Sequence, residues 1–192
     1  MNNLSRLIQK IKENPVAYLD KPSTTNLDSF LTGYLDTRTR LGLEQEGSGF
    51  EHFEKWVEET KQTNVPQLWA KITRFRCGGE RIAFDEFFRL FERFLNQHES
   101  SNDKSESGEE CSSILNDPSF KNYDYYDDLL ERIKKRPSMF FGTASIARLD
   151  MVLRGCSLAR REVGVAPTNA EKEFENFQLW IQEKYGITSN QS

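Results

Sequence analysis

Hydrophobic positions along the chain recur at helical spacing, in blocks broken by proline, glycine and polar clusters. Leu4, Leu7, Ile8 and Ile11 form the first stripe, and Pro15 stops it. Ser23 then stands where an N-cap belongs. Leu27, Phe30, Leu31, Tyr34 and Leu35 follow it at i, i+3, i+4, i+7 and i+8, and Gly42 is placed to end that helix. Phe50, Phe53, Trp56 and Val57 predict a third helix. Beyond it Trp69, Ile72 and Phe75 recur at a spacing of three, and Gly78-Gly79 reads as a helix stop; a short strand through residues 71–76 is the competing assignment. Phe84, Phe87, Phe88, Phe91, Phe94 and Leu95 then form a Phe-rich helical face, which predicts core.

The pattern starts again further along. Residues 7–42 and 129–164 are identical at 11 of 36 positions at an offset of 122, without a gap. The identities include Ile11/Ile133, Pro15/Pro137, Ser23/Ser145, Leu27/Leu149, Leu31/Leu153 and Gly33/Gly155. A second block, FEHFEKWVEE against FENFQLWIQE, follows at an offset of 124 and aligns Phe53 with Phe177 and Trp56 with Trp180. An internal repeat of helical units follows from two blocks in one order. The second copy predicts a helix opened by Ser145, with Ile146, Leu149, Val152, Leu153 and Cys156 on one face. A further helix is opened by the capping box Thr168-Asn169-Ala170-Glu171 and carries Phe174, Phe177, Trp180 and Ile181. Trp56 and Trp180 are expected to be equivalent buried anchors. The second copy runs out at YGITSNQS and has no counterpart of the Phe-rich closing helix. The apolar set Leu149, Leu153, Phe177 and Trp180 is therefore the candidate partner-facing or packing face.

Charge divides the 192 residues further. Residues 1–97 carry 14 basic and 14 acidic side chains, 98–128 carry 2 and 9, and 129–192 carry 10 and 7. The acidity centres on HESSNDKSESGEECSS, a stretch with almost nothing to bury, which reads as a self-repelling linker. The organisation expected is a first unit over 1–97, an acidic linker over 98–123 and a truncated second unit over 124–192. No apolar run is long enough to cross a membrane, and MNNLSRLIQKIKENP lacks the apolar core of a signal peptide, so a cytoplasmic protein is expected.

No catalytic constellation stands out. Cys77, Cys111 and Cys156 are too widely spaced for a zinc motif; Cys77 and Cys156 fit buried positions, while Cys111 in the linker should be accessible. His52 has no ligating partner one helical turn away, so no metal or cofactor is expected. Acidic pairs such as Glu58-Glu59 read as solvated surface, and no two carboxylates are marked out for acid–base work. Lys134-Lys135-Arg136 and Arg160-Arg161 could touch nucleic acid, but the sequence pI of about 5.4 and the neutral first unit argue against it. The stretch from Lys135 to Gly142 resembles the K-R-P-x-M-Y-x-G lead-in of gyrase-type ATPases; the glycine-rich loops those enzymes need do not follow, so a helix end and turn is the reading adopted.

The unit also resembles a group of bacterial proteins, most of them uncharacterised, with the pattern I-x-x-R-P-x-M-Y-x-G, S-I-x-x-L-x-x-F-L-x-G-Y, F-x-x-F-x-x-W-V, S-W-x-x-I and A-F-x-x-F-F-x-L-x-x-x-F-L. Here Arg136-Pro137-Ser138-Met139-Phe140-Phe141-Gly142 carries the first element, Ser145-Ile146 opens the second, and Leu31-Thr32-Gly33-Tyr34 completes it in the first copy. Phe53 and Trp56 carry the third, Trp69 and Ile72 the fourth, and Ala83-Phe84 through Leu95 the fifth. Asn14-Pro15 departs from the pattern, as does the loss of the last elements from the second copy. The resemblance extends to immunity proteins of contact-dependent toxin systems. It implies a non-enzymatic protein that neutralises a toxin by occlusion, and it supplies no catalytic residues. The expectation is thus a mainly α protein of two homologous units that binds a protein partner. The alternatives are a regulatory or scaffold module using the open face of the second unit, self-association through that face, an enzyme, and a nucleic-acid binder.

Overall fold

Each helix begins and ends where local chemistry dictates. The computed structural model describes residues 3–43, 49–61, 69–99, 125–141 and 145–186. In the stretch expected to form the first unit these are α1 (Asn3–Glu13), α2 (Val16–Leu19), α3 (Thr24–Arg40), α4 (Gly49–Lys61), α5 (Trp69–Cys77) and α6 (Glu80–Glu99). In the stretch expected to form the second they are α7 (Tyr125–Lys135), α8 (Pro137–Phe141), α9 (Ile146–Glu162) and α10 (Asn169–Tyr185). The protein is mainly α-helical. The Ser23 side chain caps α3 by accepting from the Asn26 N–H. Gly42 at φ +66° closes α3, its N–H donating to Thr39 O and that of Leu43 to Arg38 O. The capping box of α10 forms in full: the Thr168 N–H donates to Glu171 and the Glu171 N–H to Thr168 Oγ1.

Three expectations are corrected. Residues 71–76 are helical, within α5, and no strand occurs among the described residues. The buried face of α5 is Trp69, Ala70, Ile72 and Thr73, while Phe75 is 91% exposed. A spacing of three falls short of the 3.6-residue turn, so by Phe75 the side chain has rotated off the face that Trp69 starts. Ile146, the first residue of α9, is also exposed rather than part of its buried face. The prolines do more than stop helices. Pro15 and Pro137 each start a short one, α2 and α8, because a residue with fixed φ and no N–H suits a first turn. The expected linker falls almost wholly outside the described residues, as does Cys111; only its first two positions are described, as the last turn of α6.

The main core belongs to the first unit. Phe53 is fully buried, with the rings of Phe87, Phe91 and Phe94 of α6 between 5.3 and 5.6 Å away. Trp69 packs at 4.5 Å on Phe87. The Phe-rich stripe is thus core, as its spacing predicts. A smaller cluster, Leu129, Ile133, Val152, Leu153 and Cys156, holds the second unit together.

The units meet along α3 and α9. Gly33 lies against the backbone of Val152, and Gly155 against that of Phe30: a Cβ at Gly33 would stand 2.0 Å from Val152 O, and one at Gly155 2.1 Å from Phe30 O. Both pairs are reciprocal under the offset of 122. Glycine at both positions lets two helix backbones touch. Met151 and Ala159 of α9 join the first unit's core. Polar contacts frame the crossing: Tyr34 Oη donates to Glu162 at 2.6 Å, Cys156 Sγ to Gly33 O at 3.3 Å, and Arg132 to Asp36 at 3.1 Å.

Candidate functional site

The four residues that the sequence nominates do not share one environment. Leu153 is buried in the second cluster, and Leu149 packs half-buried beside it with Phe174. They are packing residues of α9. Phe177 and Trp180 on α10 are 50% and 49% exposed, with rings stacked at 5.9 Å and an interplanar angle of 19°. Trp180 is therefore not a buried anchor. Trp56, aligned with it, lies half-buried against Phe94 and donates its Nε1–H to Gln97, both on α6. Among the described residues no helix covers Phe177 and Trp180 in that way. Lys184 Nζ sits 4.4 Å from the Trp180 ring centre, and Tyr185 extends the exposed face.

A second feature is not legible in the sequence. A cleft of about 470 Å³ opens between the units. Its walls come from α3, α4 and α5 of the first unit, and from α8 with Arg148 of the second. Asp28 of α3 and Glu54 of α4 both line it, and among the described residues their side-chain oxygens have no hydrogen bond or ion pair. Burial pushes the Asp28 carboxyl up to about 6, against the pull of Arg148, Arg74 and Lys71. Burial, then the neighbouring Asp28 charge, pushes Glu54 up to about 7. Such a pair can hold a proton near neutrality or receive a cation. The one hint in the sequence is that Asp28 is identical with Asp150 in the repeat.

Two of the three cations that line the cleft, Arg74 and Arg148, have other interactions, and Lys71 is exposed. Arg74 donates to Thr25 Oγ1 at 2.6 Å and to Glu80 at 3.1 Å. Glu80 also receives Ser23 Oγ, Thr25 Oγ1 and the Thr25 N–H, and these bonds hold its carboxyl below the usual range although burial opposes them. Of the basic clusters, Lys134, Lys135 and Arg136 are exposed, but Arg160 is buried against Glu171 and donates to Ala166 O. His52 is exposed, Cys156 buried and Cys77 half-buried. Among the described residues no group of three or more His, Cys, Asp or Glu is arranged to hold a metal, and no helix is long and apolar enough to cross a membrane. No protein-family model, curated protein or solved structure matches the chain.

Proposed function

We propose that this is a non-enzymatic, cytoplasmic protein-binding module of the immunity type, which occludes a bacterial toxin with the open face of α10. The carrying observation is the uncovered Phe177–Trp180 stack, at the place where α6 covers its first-unit counterparts. Half-exposed aromatic pairs supply contact area at little conformational cost and are typical anchors of protein interfaces. A regulatory or scaffold role would use the same face. The test is co-expression with a toxin encoded beside this chain. The wild type restores growth; a Phe177→Asp, Trp180→Asp double variant with unchanged thermal unfolding does not. Rescue by the double variant would remove α10 from the interface, and failure of the wild type against every such toxin would remove the immunity reading.

The cleft supports a second reading, an enzyme in which Glu54 gives a proton and Asp28 takes one. It predicts a turnover with a bell-shaped pH profile that disappears in Glu54→Gln.

A further inference from the structure

We propose that the cleft between the two units binds an organic cation, an alkyl-ammonium or guanidinium group on an apolar stem. The site involves none of the α10 residues and stands or falls separately from the toxin-binding face.

The cleft is of the size that holds a small ligand or one long side chain. Leu31, Leu35, Phe50, Trp69, Met139 and Phe140 give it apolar walls suited to a methylene stem. Its polar groups are unevenly matched. Arg74 is held by Thr25 and Glu80, Lys71 stands exposed, and Arg148 makes further interactions of its own. Among the described residues Asp28 and Glu54, from two helices that line one cavity, present carboxylates with no hydrogen bond or ion pair, and the exposed Glu51 adds a third at the rim. Carboxylates taken from water without partners are costly, and a ligand with several N–H donors supplies what the fold leaves out. Guanidinium matches best, since its planar fork can reach two acceptors at once. An anion would find Arg74 and Arg148 engaged, and would meet the exposed Lys71 only in the company of carboxylates that repel it.

Asp28 is faced by Arg148 of α9, Arg74 and Lys71 of α5 and Glu80 of α6; Glu54 is faced by Asp28 of α3 and by Glu51 and Glu58 of its own helix. Between the two titrations, near pH 6 to 7, the site carries a proton for part of the time. An incoming cation favours the ionised form, so binding expels that proton to buffer. Binding of an anion takes a proton up instead. The sign of the exchange therefore reports the charge of the ligand.

Titration calorimetry on the full chain, in two buffers of different ionisation enthalpy, reads both affinity and proton exchange. The probes are agmatine, a capped Gly-Arg-Gly peptide and inorganic phosphate. The expected result is binding of a cationic probe with proton release, weakened at least about tenfold in Asp28→Asn and in Glu54→Gln, since each loses a charge-assisted hydrogen bond. Agmatine alone binding identifies a free small amine as the source of the group; the peptide alone binding identifies an arginine side chain of a protein. Met139→Trp narrows the cleft from an exposed position on α8 and should also block binding, with the carboxylates untouched. No heat from either cationic probe at millimolar concentration, affinity unchanged in all three variants, or phosphate binding with proton uptake would each overturn the proposal.

Discussion

Replacing Gly33 with alanine should destabilise the protein, against the intrinsic preference of the helix. In an exposed helix interior, Gly→Ala stabilises by roughly 1 kcal/mol, because alanine loses less backbone entropy on folding. At Gly33 the new methyl would stand 2.0 Å from Val152 O, about 1.4 Å short of ordinary contact. The obstacle is backbone, so no rotamer change relieves it; α3 and α9 must part. Overpacking of this kind costs about 1–3 kcal/mol, and parting the helices adds lost dispersion contacts around Val152, Leu153 and Cys156. After the propensity gain is deducted, the net loss should be about 2 kcal/mol. Gly155→Ala, at 2.1 Å from Phe30 O, should behave alike. The two changes act on one crossing, so the double variant should lose less than the sum. Urea unfolding at fixed pH measures this as a lower midpoint for each variant. A midpoint raised by the propensity gain in both single variants would refute the close approach, and with it the joining of the units through α3 and α9.

Further outcomes follow from burial and charge. Phe53→Ala should cost about 3–5 kcal/mol and Phe177→Ala less than about 1 kcal/mol, because the first ring is fully buried and the second half-exposed; chemical denaturation compares them. Asp28→Asn should stabilise the chain above pH 6 by on the order of 2–3 kcal/mol, since holding a carboxyl one pH unit above its ordinary value costs about 1.36 kcal/mol. The sign follows from a folded carboxyl pKa raised above its unfolded value: the wild type loses stability as pH rises from about 4 to about 6, and the difference between the proteins should vanish below that window. Glu171→Ala removes half of the α10 capping box and leaves the buried Arg160 without its carboxylate, so thermal unfolding should show a loss of about 2 kcal/mol or more.

The helices are legible because their chemistry is local. The Phe stripe of α6, the cap at Ser23 and the Thr168–Glu171 box each need only residues within a turn or two of one another. A local rule fails where it is pressed too far. A spacing of three puts Phe75 on the buried face of α5, but that period drifts off the face within two turns. Pro15 and Pro137 stop one helix by the same rule, yet each also begins the next turn. Gly33 and Gly155 are visible as identities between the two aligned stretches, but nothing in the sequence says that each touches the backbone of the other stretch. The environment of Trp180 depends on what lies over α10, which alignment with Trp56 does not supply. Asp28 and Glu54 are illegible for a similar reason. Each is a polar residue on an amphipathic helix, where a solvated position is the ordinary reading. They converge because α3 is packed on two sides, by its own unit and by α9, which encloses the intervening polar strip as a cleft.

The open face of α10 is tested most directly by fluorine NMR of the full chain labelled with fluorotryptophan, with a soluble paramagnetic agent added. Three resonances are expected, from Trp56, Trp69 and Trp180. Trp180, half-exposed, should be broadened most, Trp56 less and the buried Trp69 least. The Trp180 response should collapse on addition of the proposed toxin partner. A Trp180 as shielded in the free chain as Trp69, or equally accessible with and without the toxin, would contradict docking through this face.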